Sequence, residues 1–415
     1  MAITNKEEGV WILDQVYNKQ NEGDIWNYSS SSDPGQLWAW GSNYYGILGQ
    51  NTAAPGGTDR SSPTQIGTDE TWTQVHGGAF DSVGGVKADG TLWMWGRNYY
   101  GKLGLNQFGS PIPSAPFSRS SPTQVGTDTT WSTVSTFEAG TFALKTNGTL
   151  WGWGGENMWG SPQGGPAGSR SSPTQVTGNP STTWAVGKGK LATWTQSFAV
   201  ISDSGELYTW GRNYSGSLGQ NQSPGNNYDD PNPQRVGTDT TWDIVGGVDE
   251  QGWKNPLALK TDGTLWAWGG GGDGQLGQNN RTPQSSPVQI PGTTWTGQFT
   301  GKANNNCHSA IKSDGTLWSW GGQNNGELGL NQATTHISSP TQVGTDSTWA
   351  TIGGDHAVIG VKTDGTLWTW GSGSYGALGQ NDRTTYSSPV QVPGTNWNAS
   401  GVASMSNTVF SLRYS

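Results

Sequence analysis

Asp262-Gly-Thr-Leu-Trp-Ala-Trp-Gly269 is one of seven similar segments that recur along this chain of 415 residues. The copies begin at Gln36, Thr91, Thr149, Glu206, Thr264, Thr316 and Thr366 when each is counted from the residue before its leucine. The second aromatic residue falls at positions 40, 95, 153, 210, 268, 320 and 370, so the steps are 50 to 58 residues. A repeat of this length predicts a modular fold in which each unit buries its apolar faces against its neighbours.

One repeat contains the pattern of four short strands. Trp349 begins the first, and Ala357–Lys362 forms the second. Asp364-Gly365 then predicts a two-residue turn of type I′, in which both positions have positive φ. Thr366–Trp370 is rich in β-forming residues and alternates in character, which predicts the third strand. The fourth, Ser387–Val392, is entered through a proline, which places it at the outer edge of the sheet.

Seven four-stranded units predict an all-β fold, a seven-bladed β-propeller closed into a ring. The chain enters the ring at Leu37, inside a third strand, and leaves it through two strands after Trp397. We therefore expect one blade to combine Gln36–Gly67 with Trp397–Tyr414. This sharing of a blade between the N- and C-terminal strands would remove the open sheet edges that promote aggregation.

The repeat resembles that of the regulator-of-chromosome-condensation family. The shared pattern is Asp-Gly-x-Leu-Trp-x-Trp-Gly-x-x-x-x-Gly-x-Leu-Gly followed by Ser-Pro-x-x-Val, and Asn213–Gly219 and Asn324–Gly329 contain its loop signature. The resemblance covers Gln36 to Tyr414 and implies the same seven-bladed propeller. It does not imply the founding member's exchange activity toward the Ran GTPase, because the loops and wedge insertion that perform it are not found in this sequence. Family fold alone does not define function.

The composition excludes several classes of protein. Only 12% of the residues are charged and 31% are hydrophobic, so burial must come from aromatic residues, above all the 25 tryptophans. A net charge of −9 without a basic run argues against a nucleic-acid partner. No run of about 18 apolar residues predicts a membrane span, and no signal peptide is visible. Cys307 is the single cysteine, which leaves no partner for an intrachain disulfide.

Residues 1–34 precede the ring and are predicted to form a helical arm and linker, while residues 35–415 form the propeller. Thr4 and Glu7 have capping-box spacing, and the apolar residues that follow have helical spacing. Residues 9–17 and 25–26 resemble short segments of bacteriophage structural proteins. The residues expected to dock onto an assembly are Val10, Trp11, Leu13, Val16, Tyr17 and Trp26.

The patterns that resemble chemical sites have simpler explanations. Gly96–Lys102 has the spacing of a phosphate-binding loop, but Leu103 stands where Ser or Thr would bind Mg²⁺. The repeated Asp-Gly pairs are explained by turns, and Gly269–Gly274 offers a single carboxylate to Ca²⁺. The four histidines are dispersed without metal-ligand spacing. We predict no catalytic residue, cofactor or metal, and no enzyme activity.

These observations favour a bacteriophage virion structural or attachment protein. Its partners would be other virion proteins, copies of itself, or a host surface receptor or glycan, and its location would be the virion. A cellular interaction scaffold or small-GTPase exchange factor is the alternative, with a cytoplasmic location. A secreted, extracellular carbohydrate-binding module is the second alternative, because aromatic rings can stack on sugars. The variable loops at 51–60, 107–119, 161–170 and 222–232 are the candidate recognition surfaces.

Overall fold

The computed structural model describes residues 34–52, 58–78, 82–108, 118–138, 140–155, 168–177, 183–194, 197–222, 229–246, 255–301, 306–332, 335–405 and 407–414. The predicted helical arm lies outside the described residues. In chain order the strands are β1 (Gln36–Gly41), β2 (Arg60–Gln65), β3 (Trp72–Gly78), β4 (Ser82–Lys87), β5 (Leu92–Gly96), β6 (Arg119–Gln124), β7 (Trp131–Thr136), β8 (Gly140–Lys145), β9 (Leu150–Gly154), β10 (Arg170–Gln175), β11 (Leu191–Trp194), β12 (Ser197–Ile201), β13 (Leu207–Arg212), β14 (Asp229–Arg235), β15 (Trp242–Gly246), β16 (Leu257–Lys260), β17 (Leu265–Gly269), β18 (Gln284–Gln289), β19 (Trp295–Gly301), β20 (Cys307–Lys312), β21 (Leu317–Gly321), β22 (Ile337–Gln342), β23 (Trp349–Gly354), β24 (Ala357–Lys362), β25 (Leu367–Gly371), β26 (Tyr386–Val392), β27 (Trp397–Met405) and β28 (Thr408–Arg413). One-turn 3-10 helices span Tyr44–Gly46, Tyr214–Gly216 and Ser374–Gly376.

These strands form seven antiparallel sheets of four strands, which are the blades of the predicted propeller. Blade 1 has the order β27-β28-β1-β2 from the inside outward, and blades 2 to 7 each use four consecutive strands, beginning at β3, β7, β11, β15, β19 and β23. The innermost strands of neighbouring blades contact one another around the ring. The seven-bladed architecture is therefore confirmed.

Blade 1 also confirms the predicted closure. Strand β1 pairs with β28 over its whole length, from Gln36 opposite Arg413 to Gly41 opposite Thr408. On its other side β1 pairs with β2, and β28 pairs with β27. The two ends of the propeller thus meet in one sheet, with the earlier part of the chain on the outside and the later part on the inside.

The second tryptophan of each motif is the main core residue. These rings are fully buried or nearly so, and the residue between the two aromatic residues is also buried. Seven clusters of buried side chains result, and each combines residues of adjacent blades. Burying a large aromatic side chain contributes about 1.5–3 kcal/mol by removal of apolar surface from water. This packing compensates for the low hydrophobic content of the sequence.

In six blades the glycine-rich loop after the third strand lies against the next blade, within the residues that the structure describes. The indole N–H of Trp95 donates to the carbonyl oxygen of Ile47 in the preceding blade at 2.8 Å. Equivalent bonds run from Trp40 to Ala377, Trp153 to Lys102, Trp268 to Ser217, Trp320 to Gln275 and Trp370 to Glu327. Six of the seven junctions between blades therefore share one buried hydrogen bond among the residues that the structure describes.

The turns between second and third strands differ from the predicted type I′. Only the glycine has positive φ, as in Gly365 at 75°, whereas Asp364 does not. The amide of Gly365 donates to the carbonyl oxygen of Lys362 at 2.9 Å. This geometry is a type I turn followed by a left-handed glycine, and the type I′ assignment is wrong. The aspartate side chain explains the difference, because it accepts bonds from the amide and hydroxyl of Thr366 and fixes the local turn.

Candidate interaction face

The two faces of the ring have different construction. The first and third strands of every blade end on one face, which also holds the long loops before the fourth strands; we call it the loop face. The opposite face, the turn face, holds the aspartate-glycine turns and the connections to the next blade. Because the strands of each sheet are antiparallel, this assignment follows directly from the sheet order.

Loops on the loop face are held in place by buried amide side chains. Asn43 accepts a hydrogen bond from the amide of Leu48 at 3.1 Å, and Asn98 accepts one from Leu103 at 3.0 Å. Asn213 does the same for Leu218 at 3.1 Å. All three asparagines are buried. The loops are consequently preorganised, which lowers the entropic cost of binding a partner.

Three tyrosines in these loops adopt a left-handed backbone conformation. Tyr45, Tyr100 and Tyr375 have φ values of 59°, 54° and 58°. They occupy equivalent positions in blades 1, 2 and 7, which are neighbours in the ring. A left-handed backbone costs roughly 1–2 kcal/mol for a residue other than glycine, and it is uncommon for a bulky one. Retained strain of this kind clusters at functional sites.

The left-handed tyrosines belong to a larger group that contains three exposed tyrosines. Tyr44, Tyr100 and Tyr375 expose 46%, 40% and 47% of their surface, values that are high for aromatic residues. The guanidinium of Arg97 lies 4.6 Å from the ring centroid of Tyr45 and 5.0 Å from that of Tyr99, so it links the loops of blades 1 and 2. We define the tyrosine arc by its members: Tyr44, Tyr45, Arg97, Tyr99, Tyr100 and Tyr375.

Within the arc the aromatic rings also contact each other. The ring centroids of Tyr44 and Tyr45 are 4.3 Å apart with the rings nearly perpendicular. The hydroxyl of Tyr99 donates to the hydroxyl of Tyr100 at 2.8 Å. These contacts position the side chains before a partner arrives. The arc therefore combines rigid aromatic surface with one cation, the composition that is enriched at the centres of protein interfaces.

The turn face has a repeated structural motif in which a lysine is enclosed by two tryptophans and an aspartate. In blade 3 the ammonium of Lys145 lies 3.8 Å from the ring centroid of Trp151 and 4.8 Å from that of Trp131, and it forms an ion pair with Asp128. The hydrogen bond from Lys145 lowers the pKa of Asp128 to about 2. Lys87, Lys260 and Lys362 repeat this arrangement. These charges stabilise the blades and leave little free charge for a ligand.

The other aspartates of the turn face are also structural. Asp89, Asp262, Asp314 and Asp364 accept bonds from the threonine two residues later, which lowers the pKa of each carboxyl. The structure brings together no group of three or more His, Cys, Asp or Glu side chains that could hold a metal, within the residues that it describes. The interpretation of the aspartate series as turn residues is confirmed by these bonds.

The other residues that the sequence suggested as sites are buried or lie outside the described residues. Lys102, in the segment that resembles a phosphate-binding loop, is fully buried, and its carbonyl oxygen accepts from Trp153. Cys307 is buried in β20. The docking residues Val10, Trp11, Leu13, Val16, Tyr17 and Trp26 lie outside the described residues, as do most of the long variable loops. No helix in the described ranges is both long and apolar enough to cross a membrane.

The tyrosine arc was not identified from the sequence. Its signal was present, since Asn-Tyr-Tyr-Gly occurs at Asn43 and Asn98 in two successive repeats. The sequence does not reveal how exposed these rings are or that their backbone is left-handed. Both properties depend on how the loop lies on the next blade.

Comparison with known proteins identifies a family. The family model described as "Regulator of chromosome condensation (RCC1) repeat" matches residues 34–83, 89–142, 204–246, 262–297, 314–359 and 364–406. The RCC1 domain-containing protein RUG3, mitochondrial, of Arabidopsis thaliana is 26% identical over 313 residues, 73% of this chain and 65% of the relative. The ultraviolet-B receptor UVR8 of the same plant is 26% identical over 319 residues, 74% of this chain and 64% of the relative. The chain thus spans about two thirds of these relatives' length.

Solved structures agree on the fold. Prp20p from Saccharomyces cerevisiae superposes with a TM-score of 0.75 at 16% identity and covers 92% of each chain. Human WBSCR16 has a TM-score of 0.73 at 18% identity, with 92% of this chain and all of the other covered. At such identities the similarity shows the propeller and nothing about activity.

These relatives overturn the first functional interpretation. RUG3 and UVR8 are cellular proteins. A further relative is the E3 ubiquitin-protein ligase HERC2 of Homo sapiens, which is 25% identical over 321 residues. The match covers 77% of this chain but only 6% of HERC2. The prediction of a bacteriophage virion protein, located in the virion with virion or host-receptor partners, is therefore wrong. It depended on a short N-terminal segment, whereas the repeat extends over nearly the whole chain.

Proposed function

The chain belongs to the Regulator of chromosome condensation (RCC1) repeat family, and on that basis we propose that it is a cellular interaction scaffold that binds a partner protein through the tyrosine arc. RCC1-type propellers are mostly non-enzymatic interaction or exchange-factor proteins, and they bind other proteins. The cytoplasm is the proposed location. The observation that supports the surface is the presence of left-handed tyrosines in three adjacent blades, of which Tyr100 and Tyr375 are exposed and Tyr45 lies beside the exposed Tyr44.

The left-handed tyrosines carry a conformational cost that a bound partner would offset. Asparagine adopts the left-handed conformation with less strain than tyrosine, and this chain uses asparagine at left-handed positions elsewhere, as at Asn51 and Asn381. At positions 100 and 375, where the tyrosine rings are exposed, asparagine would adopt the same backbone with less strain. Tyr45 differs, because its ring is partly buried against the core. An exposed aromatic ring also contributes no free energy of burial, because its apolar surface stays in contact with water. Binding a partner would bury these rings and explains why the loops contain them.

The experiment replaces the two exposed left-handed tyrosines, Tyr100 and Tyr375, by asparagine. Tyr100→Asn and Tyr375→Asn together should leave the melting temperature unchanged or raise it, because strain is removed and both rings are exposed. Proteins captured from cells of the source organism by wild-type protein and identified by mass spectrometry should no longer be captured. Ser215→Asn is the matched control, since Ser215 has the same conformation at φ 51° in blade 4 without an aromatic ring. A partner that binds the double variant and wild type equally would refute the proposal.

A small-GTPase exchange factor is the competing function in this family. Prp20p of Saccharomyces cerevisiae binds Gsp1p and histones, which is a property of that protein. We expect no acceleration of nucleotide release when this chain is added to a small GTPase. Saturable, stoichiometric acceleration would favour the exchange factor over the scaffold.

The carbohydrate-binding alternative has less support. Every tryptophan that the structure describes is buried or half-buried, and no tryptophan occurs among the exposed large apolar side chains. The outer ring of Trp151, for example, is covered by Lys145. A sugar would need one of these faces to be open for stacking.

We further propose that residues 1–34 form a separate segment that docks onto a protein partner or a second copy of the chain. The support is the sequence pattern alone, namely the apolar residues Val10, Trp11, Leu13, Val16, Tyr17 and Trp26 before the first blade. The ring is complete without them, since blade 1 begins at Gln36.

A further inference from the structure

A cavity of about 460 Å³ lies at the centre of the ring. Its lining comes from the inner strand of every blade, so we call it the central channel. Much of the wall is apolar, including Val134, Ile244 and Phe299, and the polar part includes the amides of Gln74 and Gln298. A volume of this size lies within the range of about 300–1,000 Å³ that is typical of small-molecule sites.

Blade 4 contributes to the channel in a way that the other blades do not. In the other six blades the inner strand begins at its tryptophan, as at Trp72 and Trp131. In blade 4 the tryptophan is Trp184, but the strand begins only at Leu191. The residues between them include Val186–Gly189, which line the channel. The ring's regular inner wall is therefore interrupted at one place.

The interruption is a Gly-Lys-Gly turn. Gly187 and Gly189 have φ values of 109° and 78°, which favour glycine. No atom lies within 4 Å of a Cβ placed on Gly187, so the start of the turn faces open space. At its end, the carbonyl oxygen of Gly189 accepts from the amide of Val245 at 2.8 Å, which anchors the turn on blade 5. The two glycines thus place Lys188 at the channel on a defined support.

Lys188 differs in charge from the rest of the channel wall. Its side chain is open to solvent, and it is the one Lys, Arg, Asp or Glu among the described residues that line the cavity. The surrounding protein lowers the pKa of Lys188 to about 8 by desolvation, so it still carries its charge at neutral pH. The channel's histidine, His76, has its pKa lowered to about 4 by burial, so it is neutral at physiological pH. Lys190, two residues after Lys188, points to blade 5, where its ammonium contacts the carboxylate of Asp243 at 2.6 Å. The channel therefore combines one cation, neutral amides and an apolar wall.

We propose that the central channel binds a small organic anion. Its carboxylate or phosphate group contacts the ammonium of Lys188, and its apolar part packs against Val134, Ile244 and Phe299. The cation supplies a charge-assisted hydrogen bond, and the wall supplies apolar burial. This site is separate from the tyrosine arc on the loop face, so it can exist whether or not the arc binds a protein.

The test uses the full-length protein with octanoate, hexyl phosphate and uncharged octanol as probes in titration calorimetry. Octanoate or hexyl phosphate should bind at least about tenfold more tightly than octanol, because a charge-assisted hydrogen bond is worth at least that factor. Lys188→Gln should reduce the affinity for the anion about tenfold and leave octanol binding unchanged. Because Lys188 is exposed, this variant should melt at the wild-type temperature.

Lys190→Gln is the matched control, since it removes a lysine two residues away that contacts Asp243 and does not line the channel. It should retain the wild-type affinity for the anion. Two results would overturn the proposal: no heat of binding for either anion up to millimolar concentration, or equal affinity for the anions in wild type and Lys188→Gln. Preference for hexyl phosphate over octanoate would identify a phosphate ester as the natural class, and the reverse would identify a carboxylic acid.

Discussion

The indole Nε1 of Trp40 donates a hydrogen bond to the carbonyl oxygen of Ala377 at 2.9 Å, although 337 residues separate the two in the chain. The same bond occurs between neighbouring blades elsewhere, but here it joins the first motif to the last. Asn381 reinforces this junction, because its amide donates to the carbonyl oxygen of Ser61 at 2.7 Å. The place where the ring closes is thus built like the other junctions between blades.

Trp40→Phe should lower the free energy of unfolding. The substitution removes the N–H and leaves the buried carbonyl oxygen of Ala377 unsatisfied, which costs about 1–3 kcal/mol in addition to the loss of ring volume. Trp397→Phe is the matched control, since Trp397 is also buried but its N–H has no hydrogen-bond partner among the residues that the structure describes. Urea denaturation should show a smaller loss for Trp397→Phe. Equal losses would mean that the bond contributes nothing to closure.

Gly315→Ala should destabilise the propeller far more than Gly344→Ala. Both glycines have positive φ, at 77° and 64°, so both substitutions share a cost of roughly 1 kcal/mol. A Cβ on Gly315 would lie 2.0 Å from the carbonyl oxygen of Ser347, whereas one on Gly344 meets nothing within 4 Å. We expect an additional loss of at least about 2 kcal/mol for Gly315→Ala, from backbone strain. Indistinguishable denaturation curves would contradict the turn geometry.

His76 should make stability depend on pH between about 6.5 and 4. Burial lowers its pKa from 6.5 to about 4, so the unfolded chain binds a proton before the native state does. Stability contributed by neutral His76 is therefore complete above pH 6.5 and is lost as the pH falls to 4. Because His76 is partly exposed to the channel, we expect a loss of about 1–2 kcal/mol.

Denaturation of wild type and His76→Gln at several pH values checks this expectation. The variant should lose less stability across the window. Asp128 and Asp346, whose pKa values are held near 2 by lysine, lose their contribution to stability as the pH falls through the range around and below their usual pKa of 3.8. They are present in both proteins, so the difference between the two profiles isolates His76. A wild-type profile that is flat from pH 6.5 to 4 would show that His76 titrates normally.

Deleting residues 1–32 should leave the melting temperature of the ring nearly unchanged and abolish the proposed docking of the arm. Differential scanning calorimetry measures the melting temperature. Cross-linking followed by mass spectrometry shows whether the deletion variant still captures a partner or second copy that the wild type captures. If the deletion unfolds the propeller instead, the segment is part of the ring's own packing. If capture persists, docking does not depend on it.

The sequence predicts the ring well because the repeat is long and regular. The spacing of the tryptophan motifs is enough to predict the number of blades. The absence of two strands before Leu37 is enough to predict that the chain ends share one blade. The type of turn is harder to predict from the sequence, because Asp-Gly is compatible with several turn types. The hydrogen bonds from Thr366 to the aspartate decide between them. The tyrosine arc and the Gly187-Lys188-Gly189 turn could not be placed, because each depends on contacts with a neighbouring blade.

Blade 1 also has a consequence for synthesis on the ribosome. Strand β1 is made early, but its partner β28 and the carbonyl oxygen of Ala377 appear more than 330 residues later. At about 5–20 residues per second, translation needs on the order of tens of seconds to cover that interval. Throughout this time blades 2 to 6 can be completed while the edge of β1 stays unpaired. The emerging chain therefore has an exposed sheet edge until the last strand leaves the ribosome. During this time chaperones or a second emerging chain compete to bind that edge.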